Sequence, residues 1–361
     1  MRELVKNGKH DYRFWGGVEA VEGIEPFTGD ALVQVNPLRF VQKGRRSRLK
    51  GFWPAVVDRS VDVVIILGNA NVAATWAMAL AARLLGKKVL FWAHGWRRRE
   101  ALPKRVMRNL YHRLAHRILV YGERARSLGA ESGYPRNRIR VIYNSLDFEG
   151  AEAAVAKIEA GGLSAGDRPR ALFARPDRPL VVCTARLTAL CRFDLLLRAA
   201  VQLAARRLPV NVLLVGDGPE RGRLEALARE LDLDVHFHGA CHDEEELAPM
   251  IYHADLTVSP GKVGLTAIHS LIYGTPVVTH GDFDRQMPEV EAITPGSTGS
   301  FFRAGDVDNL ANAIGEWLLS GRDREEVRRL CRQEVAARWT PCRQRELIDA
   351  AVDELFQGEA A

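Results

Sequence analysis

The sequence predicts an α/β protein built of two doubly wound, Rossmann-like domains. Its 361 residues suffice for two domains of roughly 100–200 residues each. Short β-branched runs alternate with helical patterns along the whole chain, as in parallel α/β units. The alternation repeats on either side of residues 161–179, which hold Gly-Gly, Ser-Ala-Gly-Asp and three Arg-Pro pairs with little periodicity. That composition reads as a linker.

In the first domain, residues 1–160, strands are expected at 12–15, 32–35, 61–67, 88–92, 118–121 and 139–142. Helices fall between them, notably at 72–85 and 102–117. The apolar run 61–85 is broken by Gly68-Asn69-Ala70-Asn71, so it is a buried strand, a turn and a helix, not a membrane span of about 20 apolar residues. In the second domain, residues 180–340, strands are expected at 180–184, 212–215, 235–238, 256–258 and 276–279, with helices at 193–205 and 220–231. Residues 341–361 begin with an amphipathic helix after the Trp339-Thr340-Pro341 break.

Composition removes several function classes. With 47% apolar and 27% charged residues, both domains can bury ordinary cores. Cys183, Cys191, Cys241, Cys331 and Cys342 are scattered and odd in number, which argues against a disulfide framework and a structural zinc site and fits a reducing cytoplasm. No apolar run near Met1 reads as a signal peptide. The net charge of +6 permits anionic partners without choosing among them.

Open α/β sheets bind ligands beyond the carboxyl ends of their strands. Three such junctions stand out. Gly216-Asp217-Gly218-Pro219 combines two turn glycines with a proline suited to a helix start. Gly261-Lys262-Val263-Gly264-Leu265-Thr266 opens a helix whose N–H groups and dipole suit a diphosphate. The stretch 184–194 places Arg186 and Arg192 at a strand mouth, where guanidinium groups can neutralise phosphate. Each alone is equally the pattern of a plain turn or a solvated arginine.

Together, in this order and spacing, they resemble the donor half of retaining glycosyltransferase family four, of the GT-B fold. That family shows Gly-Arg-Leu…Lys-Gly…Asp-Leu-Leu, Val-Gly-Asp-Gly-Pro, Glu-Gly-Phe-Gly-Leu…Glu and Gly-Thr-Pro-Val-Val. The counterparts are Ala185-Arg186-Leu187 with Asp194-Leu195-Leu196, Val215 to Pro219, Gly264-Leu265, and Gly274 to Val278. The likeness is close from Leu180 to about Leu318 and loose in the first half. It implies two Rossmann-like domains facing across a cleft, with the last helix packing back on the N-terminal domain.

The departures are specific. Gly261 and His269 stand where the family has two glutamates; the second ordinarily grips the ribose, a task His269 can take over by hydrogen bonding. Cys191 occupies the position of the diphosphate lysine, with Arg192 one residue later. Asp284-Arg285-Gln286-Met287 replaces a Gly-Gly pair ahead of Pro288 and Glu289. The loop with Cys241 corresponds to one that contacts the nucleobase through backbone atoms. In the first half His94, after strand 88–92, matches a family histidine that faces the donor sugar, and Asn144-Ser145-Leu146-Asp147 resembles Asn-Gly-Val-Asp near the interdomain joint.

Two patterns are assigned no metal: His236, His238 and His242, and three Asp-x-Asp tripeptides of the sort chance produces in a highly charged chain. The segment 97–117 is different. Arg97, Arg98, Arg99, Lys104, Arg105, Arg108, Arg113 and Arg117 face one carboxylate, Glu100. Leu102, Val106, Leu110 and Leu114 recur at helical spacing and are expected to face the core, leaving the basic groups to an anionic membrane or a lipid-diphosphate acceptor.

The resemblance implies transfer of a hexose-type sugar from a nucleotide-diphosphate sugar to a glycan or lipid-linked acceptor in cell-surface polysaccharide synthesis, with retention. Arg186, Arg192 and His94 are the expected catalytic groups. The donor is expected on Gly216, Asp217, Gly218, Cys241, Gly261 through Thr266, His269 and Glu289, with no cofactor or metal. The expected place is the cytoplasm, peripheral on the membrane's inner face. A nucleotide-sugar hydrolase or epimerase and a non-catalytic nucleotide- or lipid-binding subunit are the alternatives; a nucleic-acid binder lacks any aromatic-interleaved basic motif. Since 1–5 read as the end of a first helix, the first strand of the N-terminal sheet is expected to be missing.

Overall fold

The structure is a computed structural model that describes residues 1–17, 27, 29–43, 46–161 and 168–357. It divides into two compact units, residues 1–143 with 341–361, and residues 144–340.

The first unit holds strands β1 (Phe14–Gly17), β2 (Val35–Lys43), β3 (Arg46–Lys50), β4 (Val63–Leu67), β5 (Lys88–Trp92), β6 (Arg117–Val120) and β7 (Ile139–Val141). β4-β5-β6-β7 form one parallel sheet in that order, and β1-β2-β3 a second, with β2 and β3 antiparallel. Central β5 and β6 are almost wholly buried, whereas edge strand β4, although apolar throughout, alternates buried and more exposed residues. The strand expected at 32–35 starts where it should have ended, and the β2–β3 hairpin was not foreseen. Its Pro37 and basic residues suppress the alternating signal that marks a strand. The helix Pro341–Asp353 belongs to this unit, where Ile348, Ala351 and Val352 bury against Leu90, Leu119 and Ile142.

The second unit holds β8 (Leu180–Thr184), β9 (Asn211–Val215), β10 (Val235–Gly239), β11 (Leu256–Ser259), β12 (Val277–His280) and β13 (Gly299–Phe302) in one parallel sheet ordered β10-β9-β8-β11-β12-β13. This is the doubly wound order, and the progression of strands, all parallel, reverses between β8 and β11. Aspartates 147, 243, 306 and 323 cap the helices they precede by accepting a backbone N–H.

The boundary differs from the expected one. Residues 144–160 fall in the second unit, where helix Phe148–Glu159 offers Lys157 to Glu245 at 2.8 Å. Of the linker expected over 161–179, residues 162–167 lie outside the described residues. Beyond them Arg170 is ion-paired with Asp255 at 2.7 Å, so the Arg-Pro composition conceals a docked segment.

Candidate functional site

In the second unit, the loops that follow β8, β9 and β11 are stitched together by their own backbones at the sheet's reversal point. Leu187 N–H donates to Asp217 O at 3.0 Å, Glu220 N–H to Leu187 O at 3.1 Å, and Gly216 N–H to Gly239 O at 2.7 Å. From the β11 side, Gly261 N–H reaches Cys191 O at 2.9 Å and Lys262 N–H reaches Leu190 O at 3.2 Å.

These contacts explain the glycines. A Cβ on Gly216 or Gly261 would lie 2.0 Å from Ala185 O or Leu190 O, and one on Gly218 would lie 2.4 Å from Leu187 O. Each glycine is required where one loop's backbone meets another's. The glycine motifs therefore build the platform first, whatever they bind.

Arg186 stands exposed on the first loop. Arg192 does not share its situation. It adopts a left-handed conformation, φ 52°, ahead of helix Phe193–Ala205, and its guanidinium holds both carboxylate oxygens of Asp194 at 3.0 Å. Burial pushes the Asp194 carboxyl up, and the Arg192 hydrogen bonds outweigh it, leaving the group below its ordinary value. The expected inward swing of Arg192 would have to break this pair. Cys191 Sγ meets Arg186 O at 3.2 Å.

Helix Leu265–Ile272 begins after Gly264. Its first-turn N–H groups, those of Leu265 and Thr266 among them, have no acceptor within the helix. Thr266 Oγ1 donates to Thr184 O at 2.8 Å, tying the helix start to the end of β8. Gly261, Lys262 and Val263 were also expected at the donor; their N–H groups are taken by Cys191 O, Leu190 O and the Gln286 Oε1 atom at 2.7 Å. A buried loop must satisfy its own polar groups, and this one does so with Gln286, known from sequence only as part of the segment that replaces a Gly-Gly pair.

His269 is held by a carboxylate that sequence reading missed. Its Nε2 lies 2.7 Å from Glu244 Oε1, which also accepts from the Tyr273 hydroxyl. The His269 hydrogen bond, chiefly, draws the Glu244 carboxyl below its ordinary value. Glu244 is 25 residues away in sequence, so no local spacing could reveal the pairing. Cys241 turns its thiol to Glu246 at 3.3 Å. Glu289 is buried: Oε1 accepts from Asn144 Nδ2 at 2.7 Å, while Oε2 has no partner among the described residues.

In the first unit, His94 follows β5, exposed, with its ring 5.1 Å from that of Tyr121. Gly95 takes φ 60°. Arg108 donates to Gly95 O at 3.1 Å and grips Glu100 through two bonds of 2.6 Å, which holds the Glu100 carboxyl below its usual range.

The helix bearing Arg108 corrects the expected orientation. It runs Leu102–His112, and Arg117 belongs to β6. Leu102, Val106 and Leu110 are 60%, 56% and 55% exposed, with Met107 beside them. Tyr111 and His112 are buried instead, Tyr111 stacked on Phe91 at 4.5 Å and His112 edge-on to Trp96 at 4.5 Å. Aromatic packing fixed the inner face, so the aliphatic stripe points outward. No helix among the described residues is long and apolar enough to cross a membrane.

Known proteins resemble both halves. Residues 178–320 match the family model described as Glycosyl transferases group 1, and residues 2–149 match that of Glycosyltransferase Family 4. EpsF of Bacillus subtilis, named as a glycosyltransferase, is 29% identical over 255 residues, covering 68% of this chain and 59% of EpsF. The 2-deoxystreptamine glucosyltransferase of Streptomyces kanamyceticus is 26% identical over 65% of this chain and 62% of its own. The chain thus spans less than two thirds of the length of these curated relatives. Among solved structures, Anabaena HepE in complex with UDP and glucose superposes with a TM-score of 0.62 over 89% of this chain and 86% of HepE, at 18% identity, a likeness of fold.

Proposed function

The chain belongs to the group 1 glycosyltransferases of family four, with the GT-B fold, and from that membership we propose that it moves a hexose-type sugar from a nucleotide-diphosphate sugar to a glycan or lipid-linked acceptor in cell-surface polysaccharide synthesis. One observation carries the reading: the Arg186 loop and the first turn of helix Leu265–Ile272 lie side by side at the sheet's reversal point, joined through Thr266 and Thr184. A cation beside backbone donors that have no acceptor within their own helix suits a leaving diphosphate. UDP bound to HepE and the sugar-transferring relatives support the same class of donor.

In this reading Arg186, with the N–H groups of Leu265 and Thr266, stabilises charge that grows on the diphosphate as the glycosidic bond breaks. The acceptor attacks from the leaving-group face, a donor phosphate oxygen takes its proton, and configuration is retained. Gly216, Gly218 and Gly261 hold the platform, and His269 with Glu244 meets the ribose. A thermal-shift screen across UDP, GDP, ADP and dTDP and their sugars tests the donor class. At a ligand concentration of 100 Kd one nucleotide should stabilise the protein by about 2.7 kcal/mol; no shift with any of them overturns the reading.

The outward stripe of helix Leu102–His112 supports an acceptor held at a membrane. Exposed apolar residues flanked by Arg98, Lys104 and Arg113, all exposed, form an interfacial helix that would dip into an anionic leaflet on the cytoplasmic side. Arg108 is engaged with Glu100 and takes no part. Changing Arg98, Lys104 and Arg113 together to glutamine should weaken binding to vesicles containing anionic lipid about 10²-fold, at about 1 kcal/mol each. Changing Val106 and Leu110 to serine should weaken the binding that survives high salt. Wild-type protein left in the supernatant after sedimentation at low salt would contradict this placement.

A further inference from the structure

A cluster at the edge of the second unit's sheet adjoins the loops described above and includes Cys241, expected at the donor. β10 delivers His238, the following loop carries Cys241, and helix Glu244–Tyr252 begins with Glu246 in its first turn. His238 Nε2 is 3.1 Å from Glu246 Oε1, and Cys241 Sγ is 3.3 Å from Glu246 Oε2. All three ligand atoms lie within 4.8 Å of one another, the one such group of His, Cys and acidic side chains among the described residues. Asp243 caps the helix by accepting from Glu245 N–H at 2.9 Å, which fixes where Glu246 emerges. The His238 side chain is 19% exposed and that of Glu246 50%, so the cluster is walled on the strand side and open on the helix side.

We propose that His238, Cys241 and Glu246 form a three-ligand site for a zinc-class divalent cation, with solvent in the fourth position. A tetrahedral centre with bonds of about 2.0–2.3 Å sets its ligands roughly 3–4 Å apart; His238 Nε2 and Cys241 Sγ each stand at that spacing from a different Glu246 oxygen, Oε1 and Oε2, so one of the two shifts slightly when a single oxygen ligates. An imidazole with a thiolate favours zinc or cobalt over magnesium or calcium, which take oxygen ligands. On binding, the cation forms bonds to Nε2, Sγ and one Glu246 oxygen, the thiol proton leaves to solvent, and the two hydrogen bonds to Glu246 are given up. The loop between β10 and the helix is then pinned at both ends. The expectation of no metal weighed only the histidines at 236, 238 and 242 and the Asp-x-Asp tripeptides. His-x-x-Cys-x-x-x-x-Glu is no familiar ligand spacing, so only the fold gathers the set.

The test uses the full chain, freed of metal and titrated with Co2+. It should bind one equivalent, with the visible absorption of a cobalt–thiolate bond, and Zn2+ should displace it. Cys241→Ser should abolish that absorption, and His238→Gln should weaken binding at least about 10-fold, a loss that even outer-sphere changes can cause. Cys342→Ser, at an exposed cysteine elsewhere, should change nothing. Each variant's melting temperature without metal reports whether it is folded. Absence of stoichiometric binding, or an absorption that survives Cys241→Ser, would show a hydrogen-bonded cluster only and overturn the proposal.

Discussion

Alanine at position 261 is expected to lower the melting temperature by several degrees and to abolish stabilisation by nucleotide. The added Cβ would stand 2.0 Å from Leu190 O and 2.7 Å from Cys191 C. Both are backbone atoms in a loop whose position is set by the bond from Gly261 N–H to Cys191 O, so neither can turn aside as a side chain would. Overpacking of this kind costs about 1–3 kcal/mol, or roughly 2–12 °C for a unit of about 200 residues. The loops can meet the cost only by separating, which moves Arg186 away from helix Leu265–Ile272. Gly222→Ala is the control with the opposite sign. Gly222 lies in helix Arg221–Glu230 with nothing within 4 Å of its would-be Cβ, and alanine is the better helix former by up to about 1 kcal/mol. A Gly261→Ala protein as stable as wild type would remove the platform from the account.

Much of the second unit was legible because its signals are local. The apolar runs of β8, β9, β11 and β12, the turn glycines after them and the Gly274-Thr275-Pro276 break follow from strand burial and backbone geometry, which a short window contains. Gly274 shows the limit: its φ of 73° ends a helix, yet its Cβ would also strike Arg328 at 2.9 Å, a reason only the fold supplies. What escaped reading is what depends on distant partners. Glu244 beside His269, Gln286 on the Val263 N–H and Glu289 beside Asn144 are contacts between segments whose separation carries no pattern.

The basic helix failed for a different reason. Leu102, Val106 and Leu110 have the period of a core face, and periodicity states which residues share a face without stating what covers it. Tyr111 and His112 won the interior because Phe91, Trp96 and Tyr134 already formed an aromatic wall there. The glycine motifs were read as ligand cradles for a similar reason: from sequence, a glycine that admits a phosphate and one that admits a neighbouring loop look alike.

Arg186→Ala is expected to depress transfer by about 10²-fold or more, the loss seen when a preorganised charge-stabilising group is removed, which is roughly 2.7 kcal/mol of barrier. The residue sits exposed on a loop, where substitution usually alters stability by less than about 0.5 kcal/mol, so melting temperature without ligand should hold. Arg192→Ala, at a residue already committed to Asp194, should cost far less activity. Lysine at 186 should restore only part of the rate, since an ammonium keeps the charge without the planar fork that meets two phosphate oxygens at once. The deciding measurement is the release of nucleoside diphosphate from the donor chosen by the thermal-shift screen, in wild type and Arg186→Ala side by side. The account predicts turnover in the first and a fall of about two orders of magnitude in the second; equal turnover in the two would contradict the placement of the leaving diphosphate against Arg186.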